Sequence, residues 1–243
     1  MKYNFKNVAD GNADLYLYGA ITDDKSTDMF ATEADIDLKE FKQVMDGVTG
    51  KLNIYINSVG GSVFTASAMA SMIQRAISNG VKVVAYIDGL CASASTFLAM
   101  VADEIKVYNN SVLMIHKPMG AVFGNATEMK KMINTLDTIE ESMLNLYEAK
   151  AKVDRAKIKS LVDKESWLDA SEVEQYFNVT RINADNRVTA CADLDKCGFV
   201  VPEHIKAKLQ VEEEAPQPTV EAVDYSDFEN ILKIIKGESQ ENE

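Results

Sequence analysis

Several residue types that would mark a particular class of protein are scarce in this chain of 243 residues. It contains three cysteines, four prolines, one tryptophan and two histidines. Three cysteines are too few for a disulfide framework, so we expect a protein of a reducing cytoplasm. Cys191, Cys197 and His204 match no common zinc spacing and lack a fourth ligand, so no metal is expected. Any imidazole chemistry must use His116 or His204.

Long apolar runs and nucleotide-binding motifs are also missing. Residues 1–6 lack the apolar segment of a secretory signal, and the most apolar window, 83–101, is interrupted by Asp88 and by hydroxyl residues. We therefore expect no membrane anchor. The sequence has no G-x-x-x-x-G-K-[ST], G-x-G-x-x-G, H-E-x-x-H or G-x-S-x-G motif. These absences argue against a P-loop enzyme, and no cofactor is expected.

Basic residues are outnumbered, 25 against 38 acidic residues, and the net charge is −13. Ten acidic and two basic residues fall in 211–243, which gives that segment a net charge of −8. The body of the chain therefore has an ordinary charge, and nucleic acid and anionic membranes are excluded as main partners.

Strand and helix patterns alternate along the body. Apolar runs predict strands over 14–21, 51–57, 81–87, 104–108 and 112–115. Helical spacing predicts helices between 36 and 47, from the turn at Ser62 to Asn79, and over 96–102, 126–152, 154–161 and 171–177. This alternation predicts an α/β fold with a mostly parallel sheet. Residues 184–209 are predicted to be loosely structured.

Three segments carry residues suited to acyl transfer. Ser93 follows a run of small residues that can form an elbow into a helix N-terminus, where N–H groups stabilise an oxyanion. His116 ends an apolar strand, a common place for a base, whereas His204 lies in the weakly structured region. Gly60-Gly61 follows another strand and can supply a second N–H donor. Tight packing of a buried helix around Ser93, and a buried, hydrogen-bonded His116, are the structural alternatives.

Together these segments resemble a known family. Asn57-Ser-Val-Gly60-Gly61, Gly89-x-x-Ala92-Ser93 and Met114-Ile-His116-x-Pro118, in this order and spacing, resemble the Clp peptidase family (ClpP) over residues 13–182. The resemblance implies the ClpP/crotonase-like fold of repeated β-β-α units with a long protruding handle helix. It also implies Ser93 as nucleophile, His116 as general base, and the N–H groups of Gly61 and Ala94 as the oxyanion hole.

The third catalytic residue is less directly implied. In the family an aspartate precedes an x-F-[LM]-S-A-x-E-A string, and the matching string here is 166–173. The aspartate position therefore falls on Glu165, with Asp163 as the fallback and Asp169 as a third alternative. The chain departs from the family motifs elsewhere too, with Val59 for proline, Ser95 for glycine and Lys117 for glutamine.

Composition and pattern, together with the resemblance, predict an organisation and partners. Residues 1–183 would form the peptidase domain, 184–222 an extension and acidic linker, and 223–243 a short amphipathic helix that is either a docking peptide or a frayed tail. A handle helix implies a homo-oligomer of stacked rings acting on protein or peptide substrates. The N-terminal segment does not resemble the axial loops that engage an unfoldase, which argues against an AAA+ partner.

The functional prediction is a serine endopeptidase that works inside an oligomeric chamber. Phage head maturation (prohead) proteases of this type resemble the chain more closely still, because they share the tyrosine-rich first strand, the Ala-Ser-Ala-Ser elbow and a Trp-Leu pair. The alternatives are a housekeeping ATP-dependent proteolytic subunit, a crotonase-like acyl-CoA enzyme and a catalytically inactive scaffold ring. A Ser–Lys signal-peptide peptidase is disfavoured because no anchor is predicted.

Overall fold

Strands and helices alternate along the part of the chain that the structure describes. The structure is a computed structural model and describes residues 5–8, 11–24, 26, 35–183 and 199–209. The strands are β1 (Phe5–Val8), β2 (Asn12–Leu17), β3 (Lys51–Ser58), β4 (Lys82–Ala92), β5 (Glu104–Tyr108), β6 (Val112–Ile115), β7 (Ser166–Asp169) and β8 (Thr180–Ile182). The helices are α1 (Leu38–Met45), α2 (Val63–Ser78), α3 (Thr96–Val101), α4 (Ala126–Glu148), α5 (Arg155–Asp163), α6 (Ala170–Tyr176) and α7 (Glu203–Leu209).

The strands form one sheet that is mostly parallel. The order along its main path is β1-β2-β3-β4-β5-β8. β1 is antiparallel to β2, and the other neighbours on this path are parallel. β6 lies off the path, since it pairs in parallel with the end of β4 and antiparallel with β7. The predicted α/β fold with a parallel-dominated sheet is confirmed.

Two apolar clusters hold the sheet in place. The larger joins the sheet to helices α1 to α6 through side chains such as Phe41, Met69 and Leu144, all fully buried. Each such side chain contributes about 1.5–3 kcal/mol when it leaves water. A smaller cluster lies around the end of β4 and β6 and includes Leu90 and Met114. β4 is apolar on both faces because it contributes to both clusters.

The long helix α4 protrudes from the body, as the resemblance implies. Asn125 caps its first turn by accepting the Thr127 N–H at 2.8 Å. None of residues 126–139 is buried, whereas Glu140, Met143, Leu144 and Tyr147 are. At 1.5 Å per residue, this part of the helix without buried residues is about 20 Å long.

β4 is longer than the sequence predicts. The small residues after Ile87 were expected to leave the sheet, yet the strand continues to Ala92. Asn57 holds this part of the strand by accepting the Leu90 N–H at 3.0 Å on its Oδ1. A Cβ on Gly89 would lie 2.8 Å from the same oxygen, so any larger residue there would have to displace the Asn57 side chain. The elbow is thereby confined to the residues that follow Ala92.

The prediction that 184–209 is loosely structured is wrong for its end, where 203–209 form α7. Val201 and Ile205 are 4% exposed, and their burial in the smaller cluster stabilises this segment. Residues 184–198 and 210–243, with the acidic linker and the amphipathic helix, lie outside the described residues. All described residues belong to one unit that ends at Val211, and the domain boundaries at 183 and 222 stay predictions. Among the described residues, no helix has the length and apolar character needed to cross a bilayer.

Candidate active site

Ser93 lies in a strained turn between β4 and α3. Its φ of +53° falls in the left-handed region, which is unfavourable for a serine. A single 3-10 turn, Ser93–Ser95, leads into α3. Thr96 Oγ1 donates to the Ser93 carbonyl at 2.6 Å, and Ser95 Oγ donates to the Ala92 carbonyl at 2.8 Å. These hydroxyl bonds hold the turn in a conformation that the backbone alone would avoid.

His116 reaches Ser93 because their strands are neighbours. β4 and β6 pair in register, with Ala92 opposite Met114. Ser93 immediately follows the last residue of β4, and His116 follows two residues after Met114. The distance from His116 Nε2 to Ser93 Oγ is 2.7 Å, a hydrogen bond of the length expected between a nucleophile and its base.

The imidazole of His116 is largely shielded from water. Its side chain is 8% exposed, and burial lowers its pKa below the ordinary value of 6.5, with the Glu165 carboxylate opposing that shift. Phe199 packs edge-on against the ring, with 5.2 Å between centroids. A neutral imidazole is the form that can accept a proton from a hydroxyl.

Glu165 lies opposite His116 because of the β6–β7 register. The antiparallel pairs run from Val112 and Asp169 to Ile115 and Ser166. The next pair in that series is His116 and Glu165. Glu165 Oε2 is 3.9 Å from His116 Nδ1, a charge contact that is longer than a hydrogen bond. Among the described carboxylates, only Glu165 has an oxygen within 4.0 Å of a His116 ring nitrogen.

The backbone of Glu165 is strained as well. Its φ is +51°, and it follows the helix C-cap Lys164, a place usually taken by glycine or asparagine. Its side chain is 41% exposed. A non-glycine residue in this conformation is a reason to look for a function of its side chain.

The two alternative carboxylates have other partners. Asp163 Oδ1 pairs with Lys117 Nζ at 2.9 Å and with Lys159 Nζ at 3.1 Å. The hydrogen bond from Lys117 has the largest effect in lowering the pKa of Asp163, and the hydrogen bond from Lys159 has the second largest. Both lysines also pair with Glu140 of α4. Asp169 caps α6 by accepting the N–H groups of Ser171 and Glu172. The structure thus brings neither carboxylate to the imidazole.

Gly60 and Gly61 pass directly beside the elbow. A Cβ on Gly60 would lie 2.9 Å from the Ser93 Cβ and 2.6 Å from the Ala92 carbonyl oxygen, so the approach requires glycine. Ile21 donates to the Gly60 carbonyl and accepts the Ser62 N–H, which places Gly61 in a parallel bridge with Ile21. In such a bridge the N–H of Gly61 points away from Ile21.

The N–H of Ala94 belongs to the first turn of the 3-10 segment, where N–H groups have no acceptor within the helix. The N–H groups of Gly61 and Ala94 thus lie at the two turns next to Ser93. A substrate carbonyl bound beside Ser93 Oγ would accept hydrogen bonds from N–H groups at these turns. The arrangement suits acyl transfer, because a serine hydroxyl, a largely buried imidazole and backbone N–H groups lie at neighbouring turns.

An apolar pocket lies close to these turns. It occupies about 370 Å³ between α2, α3 and α4. α2 begins two residues after Gly61, and α3 begins three residues after Ser93. The lining includes Val63, Phe64, Phe97, Ile139, Met143 and Leu146. A pocket of this composition is suited to an apolar side chain.

The remaining candidates lie elsewhere. His204 is exposed on α7, and Cys191 and Cys197 are outside the described residues. Two features of the site were missed by sequence reasoning. The contact between Phe199 and His116 is one, and no local pattern indicates it. The charge cluster of Lys117, Lys159, Glu140 and Asp163 is the other, for which the i, i+4 spacing of Lys159 and Asp163 was the available signal.

Comparison with known proteins identifies the family. A family model described as Clp protease matches residues 10–184. The ATP-dependent Clp protease proteolytic subunit 2 of Treponema denticola is 30% identical over 141 residues, which cover 57% of this chain and 68% of that protein. The ATP-dependent Clp protease proteolytic subunit of Bacteroides thetaiotaomicron is 28% identical over 133 residues, covering 54% of this chain and 59% of that protein. The chain belongs to the Clp protease family and is a serine-type endopeptidase.

Proposed function

We propose that this endopeptidase cleaves protein substrates in phage or prophage head maturation, in the cytoplasm and inside an oligomeric chamber. In this proposal Ser93 is the nucleophile, His116 the general base, Glu165 the residue that orients the base, and Gly61 and Ala94 supply the oxyanion hole. The observation that carries these residue roles is the 2.7 Å contact between Ser93 Oγ and His116 Nε2, made by a serine held at a φ of +53°.

The proposed reaction proceeds through an acyl-enzyme. Ser93 Oγ attacks the peptide carbonyl carbon while His116 Nε2 takes the hydroxyl proton. The oxyanion is stabilised by the N–H groups of Gly61 and Ala94. The C–N bond then breaks, and the amine leaves with the proton held on Nε2. Water attacks the ester and gives a proton to His116, which returns it to Ser93 Oγ as the carboxylic product departs.

Glu165 would act through His116. A carboxylate near Nδ1 favours the tautomer whose Nε2 is free to accept a proton and stabilises the imidazolium that forms. The contact of 3.9 Å must shorten for a hydrogen bond to form, and such bonds tighten when substrate binds. Asp163 would replace Glu165 only by breaking its pairs with Lys117 and Lys159.

The chamber is supported by the protruding part of α4. Met129 is 50% exposed and Ile133 is 56% exposed. Apolar side chains on a helix that extends from the body favour burial against another subunit. We infer a homo-oligomer of stacked rings joined through these helices, which would confine proteolysis to its interior.

The head maturation role competes with ATP-dependent degradation. The matched relatives are named ATP-dependent proteolytic subunits, which favours the second role. The first role is favoured by the Ala92-Ser-Ala-Ser95 elbow, by the Trp167-Leu168 pair, and by an N-terminal segment that does not resemble axial loops. Under the first role, an AAA+ unfoldase is not required.

Degradation of a matched pair of substrates separates these roles. We expect an unfolded protein to be cleaved without ATP or an unfoldase, and Ser93→Ala to abolish that cleavage. A folded version of the same protein should be cut only at exposed segments, whether or not a Clp unfoldase and ATP are added. If cleavage of the unfolded and the folded substrate depends strictly on the unfoldase and ATP, the result would contradict the head maturation role and support ATP-dependent degradation.

A further inference from the structure

A segment beyond the family match returns to the catalytic histidine. The match ends at residue 184, and residues 199–209, here termed the clasp, pack beside the end of β6. The ring of Phe199 lies between two others. Its centroid is 5.2 Å from that of His116 and 5.6 Å from that of Trp167, and both contacts are edge-on. Aromatic pairs at such distances are attractive, so the three rings restrain one another.

The clasp is anchored to the strands that carry the site. Val201 and Ile205 belong to one buried cluster with Val59, Leu90, Ala92, Val112 and Met114. Ala92 immediately precedes Ser93, and Met114 lies two residues before His116. The carbonyl of Pro202 accepts the N–H groups of Ile205 and Lys206 at 2.9 and 3.0 Å, which starts α7. Phe199 is therefore held by neighbouring side chains that are fixed in the core.

We propose that Phe199 is a positioning residue for His116, and that the clasp exists in this chain to hold the imidazole against Ser93. This inference rests on the proposed role of His116 as the base. The contact of Phe199 restrains rotation of the ring about its side-chain bonds and keeps water from that side of it. Loss of the contact would let the ring turn away, because at 3.9 Å the Glu165 carboxylate is too far to accept a close hydrogen bond from Nδ1.

The charged surroundings of the imidazole are consistent with this role. Glu165 is the carboxylate that faces it, and its charge raises the pKa of His116 while burial has the larger, lowering effect. The Lys117 ammonium is paired with Asp163 and Glu140. On the clasp, Lys206 pairs with Glu203 at 2.8 Å. Part of the burial is contributed by Phe199, which brings no charge.

The test compares Phe199→Ala with two reference variants. Phe199→Leu keeps an apolar cover, and Val200→Ala changes the next residue, whose side chain is 84% exposed. In Phe199→Ala we expect the His116 pKa to rise toward 6.5, because the imidazole gains contact with water. We also expect kcat to fall by roughly tenfold or more, as the base is misplaced, with a smaller change in KM. Phe199→Leu should retain most of the activity, and Val200→Ala should match the parent chain.

Two spectroscopic measurements report on the clasp without any need for activity. Because the chain has only two histidines, an NMR titration can follow His116, whose signals are assigned by their loss in His116→Ala. Trp167 is the single tryptophan, so its fluorescence reports directly on the loss of the Phe199 ring. Phe199→Ala should shift the Trp167 emission to longer wavelength and move the His116 titration.

The outcomes separate this inference from the proposed function. If the parent chain reacts with a fluorophosphonate at Ser93 and Phe199→Ala shows the parent His116 pKa and reaction rate, the positioning role is overturned. If the parent chain does not react at Ser93, the proposed function fails and the positioning role fails with it. If Phe199→Ala is unfolded, the His116 titration of Phe199→Leu decides. A lower melting temperature with the parent His116 pKa would overturn the positioning role, whereas a His116 pKa closer to 6.5 with most of the activity retained would support it.

Discussion

Two non-glycine residues among those described have a positive φ, and both belong to the candidate site. These are Ser93 at +53° and Glu165 at +51°. A side chain in this region costs about 1 kcal/mol relative to ordinary backbone, so the fold retains a conformation that the residue type disfavours. For Ser93 the conformation presents the hydroxyl to His116. For Glu165 it presents the carboxylate across from the same ring.

Substitution of Glu165 should separate its chemical role from its conformational cost. We expect Glu165→Gln to lower kcat/KM by roughly 100- to 10,000-fold, because an amide cannot stabilise the imidazolium. Glu165→Gly should lose similar activity yet raise the free energy of unfolding by about 1 kcal/mol, because glycine tolerates this φ. Asp163→Asn is the matched control, and peptide hydrolysis with thermal unfolding measures all three. A larger loss of kcat/KM in Asp163→Asn than in Glu165→Gln would mean that Asp163, and not Glu165, orients His116.

The pH dependence of catalysis should reflect the buried imidazole. Burial lowers the pKa of His116, and only the neutral ring accepts the Ser93 proton, so activity is lost as the pH falls through that pKa. The acid limb of kcat/KM should therefore have its midpoint below 6.5. In Glu165→Gln the opposing charge is removed, and the midpoint should move lower still. A midpoint at or above 6.5 in the parent chain would show that the base titrates like an exposed histidine.

At the scale of elements, the site depends on how strands and turns meet. The pairing of Ala92 with Met114 brings Ser93 and His116 together, and the β6–β7 register aligns His116 with Glu165. The Thr96 hydroxyl adds a link, since it bonds both the Ser93 carbonyl and the Tyr147 hydroxyl of α4. Helix α4 is thus connected to the turn at Ser93 by two hydrogen bonds.

A pair of glycine variants tests the contact between the two turns. Gly60 and Gly80 both have a positive φ, +91° and +93°. A Cβ on Gly60 would collide with the turn at Ser93, whereas a Cβ on Gly80 would have no atom within 4 Å. Both alanine variants should lose stability. Only Gly60→Ala should also lose reactivity of Ser93, by about 100-fold or more, because the oxyanion donors would be displaced. Equal reactivity in the two variants would mean that the Gly60 turn does not shape the site.

The sequence predicts much of this arrangement, and the reasons for its failures are physical. β5 and β6 have the predicted bounds, because alternating and continuous apolar runs are strong local signals. β7 was missed because four residues with two apolar side chains carry too little pattern. The contact between Phe199 and His116 joins residues far apart in the chain, and α7 has few apolar positions, so neither could be inferred locally. The bulk of the fold is set by periodicity, whereas the clasp is set by packing.

At the scale of the whole molecule, the exposed part of α4 is the feature that suggests assembly. We expect Ile133→Glu to weaken the oligomer, since a charge would have to be buried where an apolar side chain packs. Thr135→Glu adds the same charge two residues on, to another side of the helix, and should assemble normally. Light scattering with size-exclusion chromatography measures both masses. An unchanged mass for Ile133→Glu would exclude this side of the handle as the interface.

The central claim is that Ser93 is a nucleophile activated by His116, and covalent labelling tests it most directly. A fluorophosphonate probe followed by peptide mapping should place one adduct per chain on Ser93 in the assembled protein. Ser93→Ala should show no adduct, and His116→Ala should react more slowly by roughly 100-fold or more. An assembled, folded protein that forms no adduct at Ser93, or one that reacts equally well without His116, would contradict the claim.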